Sequence, residues 1–387
     1  MTRPAIVVLG AMTRYPVAGI IWLTLQYVLG FRRLGYDCYY VESHGGTPRP
    51  FVNDGDDGSA GAAAFLARLM DRFDLSDRWA FHALHGDGRC YGLSALELSR
   101  LYSSAALIMN LHGATKPRAE HAATGRLVYV GTDPVLLEIQ LSERSPEAYA
   151  LLEPHVAFFT WAANHGKDDC RLPVSERFTF HPTRQPVVLD QWCTETRGDN
   201  DRFTTIAGWK QLWREITFEG ETYHWSKHYE FLKFLALPSH CGAAFELALT
   251  GYEQSDRELL QQYGWQVVDA ATLSADVDRY RDYIQESSGE FTVAKDQNVR
   301  FRTGWFSDRS AAYLASGKPV VTQETGFSST LPTGRGLFAY STLQEAAAAV
   351  DAIASDYERH RVAARAIAVE YFDHSVVLPA LLKECGA

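Results

Sequence analysis

Three kinds of residue in this chain stand where chemistry is possible. Acids and histidines end apolar strands, cations follow apolar strands, and polar groups open a helix. In the first half the strand-ending groups are Glu42 with His44, His112 in Asn110-Leu-His-Gly113, and Asp133 in Gly131-Thr-Asp-Pro134. A general base working on a hydroxyl needs such a group held at the mouth of a sheet, so His112, Asp133 and His44 are the catalytic candidates. Asp133, standing before Pro134, also fits a turn-forming role. In the second half Ser307 reads as the N-cap of a helix that opens Asp308-Arg-Ser310. The free N–H groups and positive dipole end of such a helix favour an anion, and Arg309 adds a charge-assisted fork for phosphate. Lys210, Lys227 and Lys295 are the lysines placed to add charge there. The run Glu324-Thr325-Gly326-Phe327 follows an apolar strand, and its glycine lets a backbone approach a ligand closely.

The elements that must position these groups alternate along the whole chain. In the first half, apolar runs at Ala5–Gly10, Asp37–Glu42, Ser104–Leu111, Arg126–Gly131 and His155–Thr160 read as strands. Ile20–Leu34 has helical spacing and ends at Gly35, so residues 5–42 form a βαβ unit. The second half repeats the pattern, with strands at Phe203–Ile206, Ala244–Leu249, Trp265–Asp269, Glu290–Ala294, Pro319–Gln323 and Leu337–Tyr340. Helices fit at Trp225–Leu235, Asp256–Tyr263, Asp276–Glu286, Asp308–Ser316, Leu343–Ala354 and Asp356–Glu370. The expected fold is α/β, two Rossmann-like doubly wound parallel-sheet domains facing a cleft. Residues 173–202, with Pro173, Pro182, Pro186 and a polar run at 195–201, read as the linker. That divides the chain into domains 1–200 and 201–387, the last helix being placed to pack back on the first.

The chain has 387 residues, 46% hydrophobic and 22% charged, which suits a globular enzyme. No apolar run approaches the roughly 20 residues a membrane span needs, and the N-terminus reads as a strand rather than a signal peptide. The formal charge of −10 gives no general attraction to nucleic acid or anionic membrane, so neither is expected as a partner. Six cysteines without CxxC spacing suggest reduced thiols and a cytoplasmic location. There is no GxGxxG, GxxxxGK[ST], GxSxG or HExxH. His224 and His228 are four apart but lack a third ligand, so no metal site is assigned.

The order of helix, Ala315-Ser-Gly-Lys-Pro-Val-Val321 and a glycine loop resembles the donor half of GT-B glycosyltransferases. More narrowly, Phe203-Thr-Thr-Ile-Ala-Gly-Trp209, Tyr223-His-Trp-Ser-Lys-His228 and Gly304-Trp-Phe-Ser-Asp-Arg-Ser310 resemble the CgeB-like, family-1-type branch. The resemblance implies transfer of a sugar from a nucleotide-diphosphate sugar to a small-molecule acceptor, with a natural product as the candidate, and no metal or other cofactor. It implies a donor site at Lys227, Lys295, Ser307–Arg309 and Glu324–Phe327, an acceptor-side loop at Arg14 and Gly19, and the catalytic candidates across the cleft. Lys227 is the favoured phosphate contact, since retaining members of the family place a lysine near there. The family's E-x7-E acids fall on Gly304 and Ala312, so both are missing and Asp308 or Glu324 is the expected substitute. Two alternatives stay open: another two-Rossmann nucleotide-sugar enzyme such as an epimerase, or, as that loss would favour, a non-catalytic nucleotide-sugar-binding protein of the same fold.

Overall fold

The computed structural model describes residues 3–192 and 201–386. Cys193 and most of the polar run at 195–201, where composition places the linker, lie outside them. The first sheet comprises β1 (Ala5–Leu9), β2 (Asp37–Glu42), β3 (Trp79–His82), β4 (Cys90–Gly92), β5 (Leu107–Leu111), β6 (Leu127–Gly131), β7 (Ala157–Thr160) and β8 (Phe180–Pro182). Its order is β4-β3-β2-β1-β5-β6-β7-β8, parallel except for β4. After β9 (Arg202–Gly208), β10 (Ile216–Phe218) and β11 (Glu221–Tyr223) form a separate hairpin. The second sheet adds β12 (Ala244–Thr250), β13 (Gln266–Asp269), β14 (Gly289–Thr292), β15 (Val320–Gln323) and β16 (Leu337–Tyr340). It is parallel throughout, in the order β13-β12-β9-β14-β15-β16.

Both sheets reverse their winding at the first strand. β1 lies between β2 and β5, and β9 between β12 and β14. Such switch points open a crevice beyond the carboxyl ends of the strands, where α/β folds bind ligands. Every group that reads as chemical in the sequence follows β1, β2, β5, β6, β9, β14 or β15, or opens a nearby helix.

The central strands are apolar because helices cover both faces. Ile6 through Leu9 are fully buried, as are Val320 and Val321. Helix Ala18–Arg33 ends where expected, with Arg32 and Arg33 beside its negative end and Gly35 at φ 92°. It packs on helix Val277–Glu286 of the other half, Trp22 Nε1 donating to the Val277 carbonyl at 2.8 Å. Gly30, about two turns further on, is pressed against His374 and Leu378 of the final helix, His374–Cys385. One apolar cluster, from Ile6 and Trp22 to Ile206, Tyr280 and Phe306, is therefore continuous through both halves.

Several elements depart from the sequence reading. β3, β4 and β8 are three or four residues long, too short for a period to show. β8 lies inside the stretch read as linker, and Pro182 is tolerated because β8 is an edge strand. The β10–β11 hairpin turns at Glu219 and Gly220, both at positive φ, as a primed turn requires. The helix expected from Trp225 begins only at His228, which leaves Trp225 and Lys227 on a loop.

Candidate active site

A cavity of about 340 Å³ lies between the carboxyl ends of the two sheets. His112, Thr132 and Asp133 line it from the first half. Gly208, Gln211, Arg214, Trp225, Lys227, Lys295 and Ser307–Arg309 line it from the second. A wider cavity of about 560 Å³ adjoins it, sharing Asp308 and Arg309 and adding Pro16, Val17 and Gly19. The chain thus brings seven of the expected site residues to one cleft and Gly19 to its extension.

Of the two lysines that line the cavity, Lys227 makes no hydrogen bond or ion pair among the described residues, and it stands half-buried in the cavity wall. Burial, and then the charge of Arg309, hold its pKa well below the ordinary lysine value. Beside it the helix Asp308–Ala315 presents its N-terminus, and the Ser307 side chain makes no cap bond there. Both features suit an incoming anion. Asp308 sits at the same helix start, and its pKa is raised by burial.

Lys295 is engaged instead. Its Nζ bonds both oxygens of Asp133 across the cleft, at 2.7 and 2.9 Å, and lies 3.0 Å from the centroid of the Trp225 ring. Burial lowers its pKa while Asp133 pulls it back up. Asp133 is therefore half of a cross-cleft ion pair as the cleft stands. His112 has φ 61°, a strained backbone of the kind concentrated at functional sites. Its Nδ1 bonds Thr132 Oγ1 at 2.6 Å, and its enclosed Nε2 has no partner. Burial pushes its pKa down to about 4, so the ring is neutral at physiological pH.

Other expectations are corrected. The Arg309 guanidinium is turned inward to Glu290 Oε1 (2.6 Å), the Ile206 carbonyl (2.6 Å) and Thr292 Oγ1 (2.8 Å). It fixes the helix to β9 and β14 and is no free fork for phosphate. The Glu324–Phe327 loop misses the cavity. Glu324 accepts from the Gly326 N–H, Thr325 Oγ1 donates to the Trp305 carbonyl at 2.7 Å, and Phe327 is in the core. Gly326, at φ 96°, does permit a close approach, but the approaching group is Asn164. A Cβ at Gly326 would lie 2.2 Å from Asn164 Nδ2, which bonds the Gly326 carbonyl at 2.9 Å. Of the two proposed substitutes for the missing acids, Asp308 alone reaches the cavity.

His44 is locked away from the cleft. Its Nε2 bonds buried Glu42 at 2.9 Å and its Nδ1 accepts from Gly46 N–H at 2.9 Å. Arg14 lies outside the main cleft, in a separate cavity. Lys210 is paired with Asp256 at 2.8 Å and Glu253 at 3.2 Å. His224 and His228 are bonded to Glu215 and Ser226 respectively.

Gln211, Thr132 and Arg214 were not singled out by the sequence. Gln211 Oε1 accepts from Trp225 Nε1 at 2.7 Å, Trp305 Nε1 donates to the Thr132 carbonyl at 3.0 Å, and Arg214 stacks 4.5 Å from the Trp225 ring. Their position just past β6 and β9 was the available signal, but lysine and aspartate beside them drew the reading.

No family model matches the sequence, and no match to a curated protein was found. Solved structures do match over the full length. An α-glucosyltransferase bound to UDP and a 13-mer DNA containing an HMU base is 10% identical, with a TM-score of 0.62 and all of both chains covered. AviGT4, a glycosyltransferase of avilamycin A biosynthesis, is 13% identical, with a TM-score of 0.56, covering 99% of this chain and 97% of its own. HepE of Anabaena, bound to UDP, is 14% identical, with a TM-score of 0.54 and 99% of each chain covered. The chain therefore has the GT-B fold: two Rossmann-like sheets that face one another across a cleft. One expectation falls here. Net charge was taken to exclude nucleic acid, yet a protein of this fold is seen with DNA. Local groups, not the sum over the chain, decide such binding.

Proposed function

We propose that this protein is a glycosyltransferase that takes its sugar from a nucleotide-diphosphate donor, with UDP as the first nucleotide to test. The observation that carries the reading is Lys227, a half-buried cation without a hydrogen-bond or ion-pair partner among the described residues, beside the N-terminus of helix Asp308–Ala315 in the inter-sheet cleft. A leaving diphosphate gathers negative charge, and fixed donors in a dry site stabilise it without reorganisation. Lys227 supplies charge, the helix supplies N–H groups, and Arg309 holds that helix in place through Glu290. Lys295 is freed to meet the anion if Asp133 finds another partner. Asp308 accepts from donor hydroxyls, the role left vacant by the missing acids. Neutral His112 offers Nε2 to the transferred sugar or the attacking hydroxyl.

The UDP complexes among proteins of this fold support the nucleotide, and their names favour transfer over epimerisation or simple binding. The chain's own charges at the proposed diphosphate position support a metal-independent transfer. The test is release of UDP from UDP-sugars in excess EDTA, preceded by a thermal-shift screen of nucleoside diphosphates. Midpoint elevation by one diphosphate and EDTA-resistant release support the reading. No shift with any diphosphate contradicts it.

A further inference from the structure

The acceptor side contains a second built feature that the donor cleft does not use. Glu42 is fully buried, yet its carboxylate is saturated. It accepts from the Thr13 N–H at 2.9 Å, Thr13 Oγ1 at 2.5 Å, Tyr40 OH at 2.6 Å and His44 Nε2 at 2.9 Å. Because His44 Nδ1 accepts from the Gly46 N–H, the ring's proton is on Nε2 and points at Glu42. This network ties the loop after β1 to the loop after β2. A fully satisfied buried network rigidifies what it joins.

Arg14 and Arg49 follow on these two loops. Arg14 lies across Gly46, where a Cβ would come within 3.0 Å of Nε. Arg14, Tyr15, Thr47 and Arg49 line a cavity of about 340 Å³. Neither guanidinium has a hydrogen-bond or ion-pair partner among the described residues. Both arginines are exposed, and beside one another at this surface cavity they make a local positive patch that attracts an anion. Tyr15 is 46% exposed and continues directly into Pro16 and Val17, which line the cavity that runs to Asp308.

We propose that the Arg14–Arg49 cavity is an anion subsite that holds a phosphate group of the acceptor. The two planar forks suit phosphate oxygens. The subsite anchors the acceptor at the mouth of the cleft while its hydroxyl reaches the donor sugar. The inference rests on the transferase reading for the word acceptor; the anion site itself does not need it. The phosphate belongs either to a small phosphorylated sugar or to a nucleic-acid backbone, and the probes separate these.

The experiment titrates glucose 6-phosphate, glucose, a short DNA oligonucleotide and thymidine into the wild type and into the Arg14→Ala/Arg49→Ala variant, with and without saturating UDP. At least one phosphate probe should bind the wild type and lose about tenfold or more in the variant. Glucose and thymidine should not distinguish the two proteins. Loss confined to glucose 6-phosphate assigns a monoester, and loss confined to the oligonucleotide assigns a backbone. Phosphate probes that bind both proteins equally, or bind neither, overturn the proposal. UDP affinity, read in the same titrations, reports the donor cleft separately. Failure of UDP to bind thus counts against the transferase reading, and the arms without UDP still score the subsite.

Discussion

At the scale of single residues, the cleft separates cations that look alike in sequence. Lys227, Lys295 and Arg309 all follow the same logic of placement, but Lys227 alone is unpartnered. Its pKa is depressed by burial, so the folded protein pays to hold the charge at neutral pH. Lys227→Met should therefore raise the melting midpoint without ligand, and a fall would show a structural bond that the geometry lacks. Arg309→Met should do the reverse. It strands buried Glu290, which then costs about 3–5 kcal/mol, read by denaturant unfolding. His112 is legible as a strand-end histidine, but its charge state is not, because burial is a tertiary property. With its pKa near 4, kcat/KM should show no inflection from His112 around pH 6.5 and should lose it only toward pH 4. A protonation step near 6.5 that disappears in His112→Ala would contradict this.

At the scale of elements, long apolar strands and long amphipathic helices were readable, and short or edge elements were not. β2 and β16 match their expected bounds, whereas β3, β4, β8 and the β10–β11 hairpin carry too few residues to set a period. The glycine loop after β15 shows a different limit. Sequence marks Gly326 as a place of close approach, but nothing local says what approaches. The structure answers Asn164, which also donates its backbone N–H to the Thr303 carbonyl at 3.0 Å and so pins the second half to the first. Gly326→Ala should lower stability by about 1–3 kcal/mol, through a strained positive φ and a displaced Asn164. Denaturant unfolding checks this, and a change within error would mean that the two halves are not joined there.

At the scale of the whole molecule, the alternation of strands and helices was sufficient to indicate two facing sheets, because doubly wound topology follows from it. The continuous core through Trp22 and Tyr280 was not legible, since no local pattern records which helix meets which. Acid stability is likewise a property of the assembled chain. His121 and His155 are buried, and each has its pKa pushed down to about 4. Between pH 6.5 and 4 the unfolded chain binds these protons and the folded chain does not, so stability falls on acidification by about 1–3 kcal/mol for each. Buried Glu138 and Asp308, whose pKa values are raised by burial, oppose this, because the folded chain holds their protons more readily than the unfolded one. Melting midpoints at about pH 7.5 and 5 should differ in that sense, less so in His121→Gln. The central claim concerns the diphosphate site, and calorimetric titration of UDP tests it most directly. The comparison is wild type against Lys227→Met at about pH 7.5. A diphosphate held by Lys227 predicts binding at least about tenfold weaker in the variant. Equal affinity in the two proteins contradicts it.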